Sequence, residues 1–214
     1  MQSFSNYLLD KMVYRQEPKP KHKKRLAQSE ETYEILSCKV IDAPVRMFPA
    51  NSSQETIEEL KQMQIAHTQH HNPSKLEEDY DDDFEWAYKK ILKDAGYKYD
   101  KKYFAKLLDE AANVTIKLKY KYNRPRPHQI GPIIGVDVTK YGSGTAKTPS
   151  YPSGHTAQSL LVALVLADKY PDLKDSLIEA SDEISLSRLV GGHHYPSDIE
   201  YGKEIGRWLH ANVK

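Results

Sequence analysis

An all-α fold, arranged as a single-domain helical bundle, is what this 214-residue chain predicts, and three observations carry the reading. Apolar residues recur at three- and four-residue intervals in six stretches, the period of a helix with one buried face. Ser or Asp stands before most of these stretches, where a helix N-terminus needs a side-chain acceptor. No stretch alternates apolar and polar residues convincingly in the two-residue rhythm of a strand.

The length suits one domain with an appended arm. Lys11 to Arg25 holds seven Lys/Arg against Glu17 alone, with Pro18 and Pro20 among them. Like charges beside proline predict a basic, solvated, partly extended arm over residues 1–30, leaving 31–214 as the helical domain. A net charge of +1 gives no global field for nucleic acid or an anionic membrane, so no nucleic-acid partner is expected. Met1 to Leu9 lacks the basic-then-apolar order of a secretory signal, and the longest apolar run, Leu160 to Ala167, is far short of a membrane span. A cytoplasmic location is the expectation. Cys38, the sole cysteine, excludes an internal disulfide and reads as a small buried apolar residue.

Lys39 to Phe48 alternates loosely with Pro44 inside, and reads as irregular or short extended structure. Ser52 and Glu55 form a capping box for a helix carrying Ile57, Leu60, Gln64 and Ile65, which ends near His67 to Pro73. His67 and His71 stand four apart, but no carboxylate motif accompanies them, so a helix end favouring imidazole is preferred over a metal site. Glu77 to Glu85 has seven acidic residues in nine positions without the glycine and spaced glutamate of a calcium loop. It reads as a solvated lead-in to a helix with Phe84, Tyr88, Ile91, Leu92 and Ala95, stopped by Gly96. Asp100 caps a long helix to about Tyr122, Asp172 caps another, and Ser197 with Glu200 opens the last. The Gly/Pro-rich connector Gln129 to Thr148 reads as a mobile lid.

The most informative stretch is Ser150-Tyr151-Pro152-Ser153-Gly154-His155, which runs directly into an apolar helix. Ser153 is an N-cap, Gly154 exposes its backbone N–H, and unpaired N–H groups with the helix dipole favour a bound anion. Two more clusters stand at predicted helix ends: Lys117 to Pro127, and Ser187-Arg188 followed by His194 and Asp198. Together they can gather a lysine, two arginines and two histidines around one anion. Phosphoryl transfer needs such charge neutralisation, plus a nucleophile and a proton donor on opposite sides of phosphorus. Asp198, four residues after His194, can accept from one ring nitrogen and leave the other free.

Lys-x6-Arg-Pro, then Pro152-Ser153-Gly154-His155, then Ser187-Arg188-x5-His194-x3-Asp198 resembles the three-part signature of the type-2 phosphatidic acid phosphatase / vanadium haloperoxidase superfamily. The wording Tyr151-Pro152-Ser153-Gly154-His155-Thr156-Ala157 is most similar to its soluble bacterial non-specific acid phosphatases. Both Lys117 with Arg124 and Lys119 with Arg126 satisfy the first block. Leu108, Ala112, Thr115 and Lys119 share an apolar stripe, whereas Lys106, Glu110, Asn113 and Lys117 share a polar one, so Lys119 and Arg126 are chosen and Lys117 is expected to face water. Tyr122 and Arg124 match positions that the acid phosphatases tend to carry as Tyr and Arg. Spacing selects His194 over His193.

The resemblance implies the family's helix bundle and a phosphatase acting on small soluble phosphomonoesters. It implies that His194 is the nucleophile, oriented by Asp198, and that His155 is the general acid. Lys119, Arg126, Arg188, the Ser153 hydroxyl and the Gly154 N–H would hold phosphoryl oxygens. Charged His155 with neutral His194 favours a mildly acidic optimum. No metal or cofactor is called for, although phosphate or vanadate can occupy such a site. Soluble relatives often form homodimers. The alternatives are a vanadate-dependent haloperoxidase and a non-catalytic polyanion-binding protein.

Overall fold

The computed structural model describes residues 4–214. The start of the arm and of the segment read for a leader, Met1 to Ser3, lies outside them. Among the described residues no strand forms, and an isolated antiparallel bridge joins Leu36 to Val213. The helices are α1 (Phe4–Asp10), α2 (Pro20–Ala27), α3 (Gln54–Gln69), α4 (Pro73–Asp81), α5 (Glu85–Asp94), α6 (Lys101–Tyr122), α7 (Pro127–Ile130), α8 (Gly154–Lys169), α9 (Lys174–Val190) and α10 (Pro196–His210). The all-α expectation holds.

Helix α8 is the axis of the bundle. It is apolar nearly all round, so it must be covered on several sides. It packs against α9, α10 and α6 and buries Ala157, Leu160, Leu161, Val162, Ala163 and Leu166. Helix α10 approaches it most closely through two glycines four residues apart. A Cβ on Gly202 would stand 2.8 Å from the Ser153 carbonyl oxygen, and one on Gly206 2.8 Å from that of Ala157. The long α6 begins where expected, with the Asp100 carboxylate accepting from Tyr103 N at 3.0 Å. It ends at Asn123, whose φ of 52° is the left-handed cap conformation. Glu110 on α6 is buried and accepts from the backbone N of both Glu34 and Leu36 at 2.8 Å. That contact ties the segment before α3 to the bundle, beside buried Cys38.

Several local expectations are corrected. The basic arm is not solvated throughout: residues 11–19 lie outside any helix, but Pro20 opens α2, a position where proline is preorganised for a helix, and α2 docks on α6 with His22 buried. Ser53 rather than Ser52 caps α3, because Ser52 is held by the Asp10 carboxylate. Leu173 and Tyr195 precede α9 and α10, so Asp172 and Ser197 do not act as caps. Residues 73–81 form α4, and Glu77 and Asp81 are buried rather than solvated. The connector before α8 is anchored along its length instead of standing free. Gly131–Ile134 makes a 3-10 turn, Tyr141 N donates to Gly191 O at 3.2 Å, and Gly144 N donates to the Asp81 carboxylate at 2.9 Å.

Adding methyl groups at Gly202 and Gly206 tests the α8–α10 contact. Helix propensity alone favours alanine by about 1 kcal/mol per site. The overlap with backbone oxygens cannot be relieved by side-chain motion, and overpacking costs about 1–3 kcal/mol per site. The Gly202→Ala/Gly206→Ala double variant is expected to unfold at lower denaturant than the parent; an equal or higher midpoint contradicts this packing.

Candidate active site

The turn into α8 is fixed before any side chain is aimed. Ser153 caps the helix, accepting from Thr156 N at 3.4 Å and Thr156 Oγ1 at 2.9 Å. Its own N–H donates to the Asp198 carbonyl at 2.9 Å, which docks the turn on α10. Tyr151 is buried, joined to Pro152 by a cis peptide, and stacks on Tyr201 with ring centroids 4.6 Å apart. Gly154 opens α8 beside the Lys119 stem: a Cβ there would stand 3.6 Å from Lys119 Cε, an ordinary van der Waals distance.

The C-terminal turn of α6 and the short α7 bring the cations. Lys119 is buried and donates from Nζ to Pro149 O at 2.9 Å and Ser150 O at 3.1 Å. Burial and neighbouring Arg126 hold its ammonium well below the usual lysine range. Arg126 donates from Nε to Thr148 O and from Nη1 to His193 O, both at 2.8 Å. Burial pushes it down to about 10. Lys117 does not face water. It is half-buried and meets Glu30 Oε1 and Gln28 O, each at 2.7 Å. It therefore braces the segment after α2 and stands outside the cation cluster.

His194 precedes α10 and stands between two opposite charges. Its Nδ1 lies 3.2 Å from Asp198 Oδ2, and its Nε2 lies 3.2 Å from Arg126 Nη1. A carboxylate accepts and a guanidinium donates, so Nδ1 carries the proton and Nε2 keeps its lone pair. Burial, then Arg126 and Lys119, hold the ring neutral. Asp198 also accepts from Tyr195 N at 2.9 Å, from Arg124 Nη1 at 2.7 Å and from Ser150 Oγ. Arg124 in turn donates to Glu59 at 2.9 Å and lies over the Tyr195 ring at 3.7 Å.

Arg188 and His155 are organised from α4. Arg188 Nη2 donates to Asp81 Oδ1 at 2.8 Å, while its buried Nε and Nη1 have no hydrogen-bond partner. The Asp81 carboxylate also accepts from Thr145 Oγ1 at 2.7 Å and Ser143 Oγ at 2.6 Å, and these donors hold it below the usual carboxylate range against the effect of burial. His155 Nε2 donates to the backbone oxygen of the same Asp81 at 3.0 Å. Burial and the charge of Arg188 push His155 down to about 3, so the charged state expected from sequence is not that of the unliganded protein. His193, next to His194, is turned away to Glu77 Oε1 at 2.8 Å.

Lys119, Arg126, Gly154, His155, Arg188 and His194 line one cavity of about 270 Å³, with Ser153 and Asp198 wholly buried behind its wall. Sequence reading missed Asp81, Glu77, Glu59 and Thr148. For Asp81 and Glu77 a usable signal existed in their i,i+4 spacing, which puts both on one helix face, but the acidic neighbours masked it.

The PAP2 superfamily model matches residues 103–211, half of the chain, from the middle of α6's first turn through α10. The chain belongs to the PAP2 superfamily. Among curated PAP2-related proteins it is 31% identical over 116 residues to a non-specific acid phosphatase of Providencia stuartii, covering 52% of this chain and 46% of that protein. It is 35% identical over 86 residues to an acid phosphatase of Zymomonas mobilis, covering 40% and 32%. The chain thus spans less than half the length of these relatives. The crystal structure of the first bacterial vanadium-dependent iodoperoxidase superposes with a TM-score of 0.58 over 86% of this chain and 53% of that one, at 18% identity, a likeness of fold.

The histidines give this PAP2 fold a pH signature. Unfolded histidine titrates near 6.5, whereas folded His155 and His193 are pushed down to about 3 and about 2, and His194 is lowered too. Below pH 6.5 the unfolded chain therefore binds more protons, and stability falls as pH falls, by up to about 1.4 kcal/mol per pH unit for each histidine. Denaturant midpoints in phosphate-free buffer should drop between pH 7 and pH 5, and a flat profile would contradict neutral buried imidazoles.

Proposed function

We propose that the chain hydrolyses small phosphomonoesters through a phosphohistidine on His194, without a metal ion. The observation that carries this reading is the His194 ring, with its Nδ1–H on Asp198 and its Nε2 lone pair beside the cationic wall of the cavity. The acid phosphatase relatives support the reaction class.

The phosphoryl group sits among Arg126, Arg188, Lys119 and the Gly154 N–H, with the Ser153 hydroxyl behind. Arg188 Nε has no hydrogen-bond partner, and Nη1 has only the longer 3.6 Å ion pair to Glu77 Oε1. These groups neutralise the charge on the equatorial oxygens, the role a metal ion fills elsewhere. His194 Nε2 attacks phosphorus in line, forming the N–P bond as the P–O bond to the alcohol breaks. Asp198 stabilises the positive charge that develops on the ring. The bound phosphate, lying near His155, offsets Arg188 and raises the imidazole pKa, so His155 becomes an acid in the complex. With Nε2 engaged by Asp81 O, Nδ1 is the nitrogen left to protonate the departing oxygen. Water then attacks the phosphohistidine, the N–P bond breaks, and His155 takes the proton of that water.

Turnover of p-nitrophenyl phosphate should persist in chelator and vanish in His194→Ala. An acid-labile, alkali-stable phosphoenzyme should be trapped from the parent. His155→Ala should slow an alkyl phosphate by about 10²–10⁴ and p-nitrophenyl phosphate much less, because the good leaving group needs little protonation. Loss of turnover in chelator defeats the metal-free reading. Halide oxidation on adding vanadate, without ester hydrolysis, would favour haloperoxidase chemistry on the same cage, and anion binding with no turnover would favour a binding protein.

A further inference from the structure

Helix α2 is a costly place to put positive charge, and it stands at the mouth of the active-site cavity. Its N-cap, Lys19, makes no side-chain cap, and its first turn has no acidic residue although Lys21 occupies it. Cations at a helix N-terminus oppose the dipole. The helix nonetheless docks on α6, so that Lys21, His22 and Arg25 line the same cavity as Lys119, His155 and His194. Arg25 is neutralised by Asp109, which accepts at 2.7 Å through its carboxylate and at 2.8 Å through its carbonyl. Lys21 is exposed and forms no ion pair among the described residues. His22 is only 6% exposed, and its Nδ1 has no hydrogen-bond partner. Burial and the charges of Lys21, Lys19, Arg25 and Lys119 lower its pKa, which marks a positive potential there. On the acidic side, Asp81 is committed to Arg188, and Asp82 is the one further carboxylate lining the cavity.

His22 and the uncompensated Lys21 both line the cavity and make a place for a second anion, separate from the three cations that meet the reacting phosphoryl group. Both positions line one cavity of about 270 Å³, below the usual size of drug-like ligand sites, so one small molecule with an anionic group at each end can span them. We propose that the favoured substrates are small bisphosphorylated compounds: one phosphate sits at Arg126 and Arg188, and the other is held by Lys21 and His22 at the mouth. This rests on the phosphatase reading above.

The test compares kcat/KM for 1,4-butanediol bisphosphate and butyl phosphate. Two equivalent reacting ends alone give a ratio of about two; a charge-assisted contact to the second phosphate should raise it about tenfold further. In Lys21→Ala/His22→Gln the ratio should fall back to about two. Lys21→Glu, at an exposed position that leaves the docking of α2 intact, should bring the ratio below the parent's by repulsion. A phosphate ester of 4-hydroxybutanoate separates a preference for phosphate from one for any anion. A parent ratio of about two, or a high ratio untouched by these variants, overturns the inference while p-nitrophenyl phosphate turnover leaves the phosphatase reading standing. Calorimetry with His194→Ala compares binding of the two butyl compounds without turnover. Equal affinities there overturn the second contact whatever the catalytic outcome.

Discussion

The Asp198 carboxylate is the interaction on which the rest of the site depends. It is wholly inaccessible, and an ionised carboxylate taken out of water is tolerated only when its lone pairs are filled. Here the donors come from three separate segments: Arg124 after α6, Ser150 before α8, and the α9–α10 turn, which supplies both the His194 ring and the Tyr195 N–H. Charge-assisted contacts of this kind are the strong ones, and they also fix direction. Arg124 is itself clamped by Glu59 of α3 and lies on aromatic rings. The three motif segments, far apart in the chain, thus converge because each must satisfy the same buried charge. The glycine faces of α10 let that convergence happen, since they allow the Asp198 backbone to reach the N–H of Ser153.

The cavity is electrostatically tense without an anion. Lys119, Arg126 and Arg188 crowd together, and burial lowers all three along with His155, His193 and His194. None of this serves stability. It follows from packing several cationic groups together out of water, a pattern that clusters at functional sites.

How much of this could be read in advance depends on whether the signal was local. The Asp100 cap, the apolar stripe of α6 and the turn at Ser153 are written in adjacent residues, and each stands as expected. The choice between Lys119 and Lys117 followed from helix face, and the structure buries Lys119 in the cavity wall. Lys117 went astray for the complementary reason. Its burial depends on Glu30, eighty-seven positions away in sequence, for which no periodicity speaks. Glu77 and Asp81 failed in the same manner: within an acidic run they look solvated, and Arg188 of a distant helix is what draws them inward. The basic arm reads as free chain because composition does not reveal that α6 offers it a docking face.

Asp81 has one further implication. Its main-chain oxygen holds the imidazole of residue 155, while its side chain holds the guanidinium of residue 188 and the loop at 143–145. His155 and Arg188 therefore share a single mounting point on α4. They cannot be adjusted independently: a shift in how that helix is seated moves both together, so the spacing of two cavity-lining side chains is inherited from one short element that carries no part of the recognisable signature.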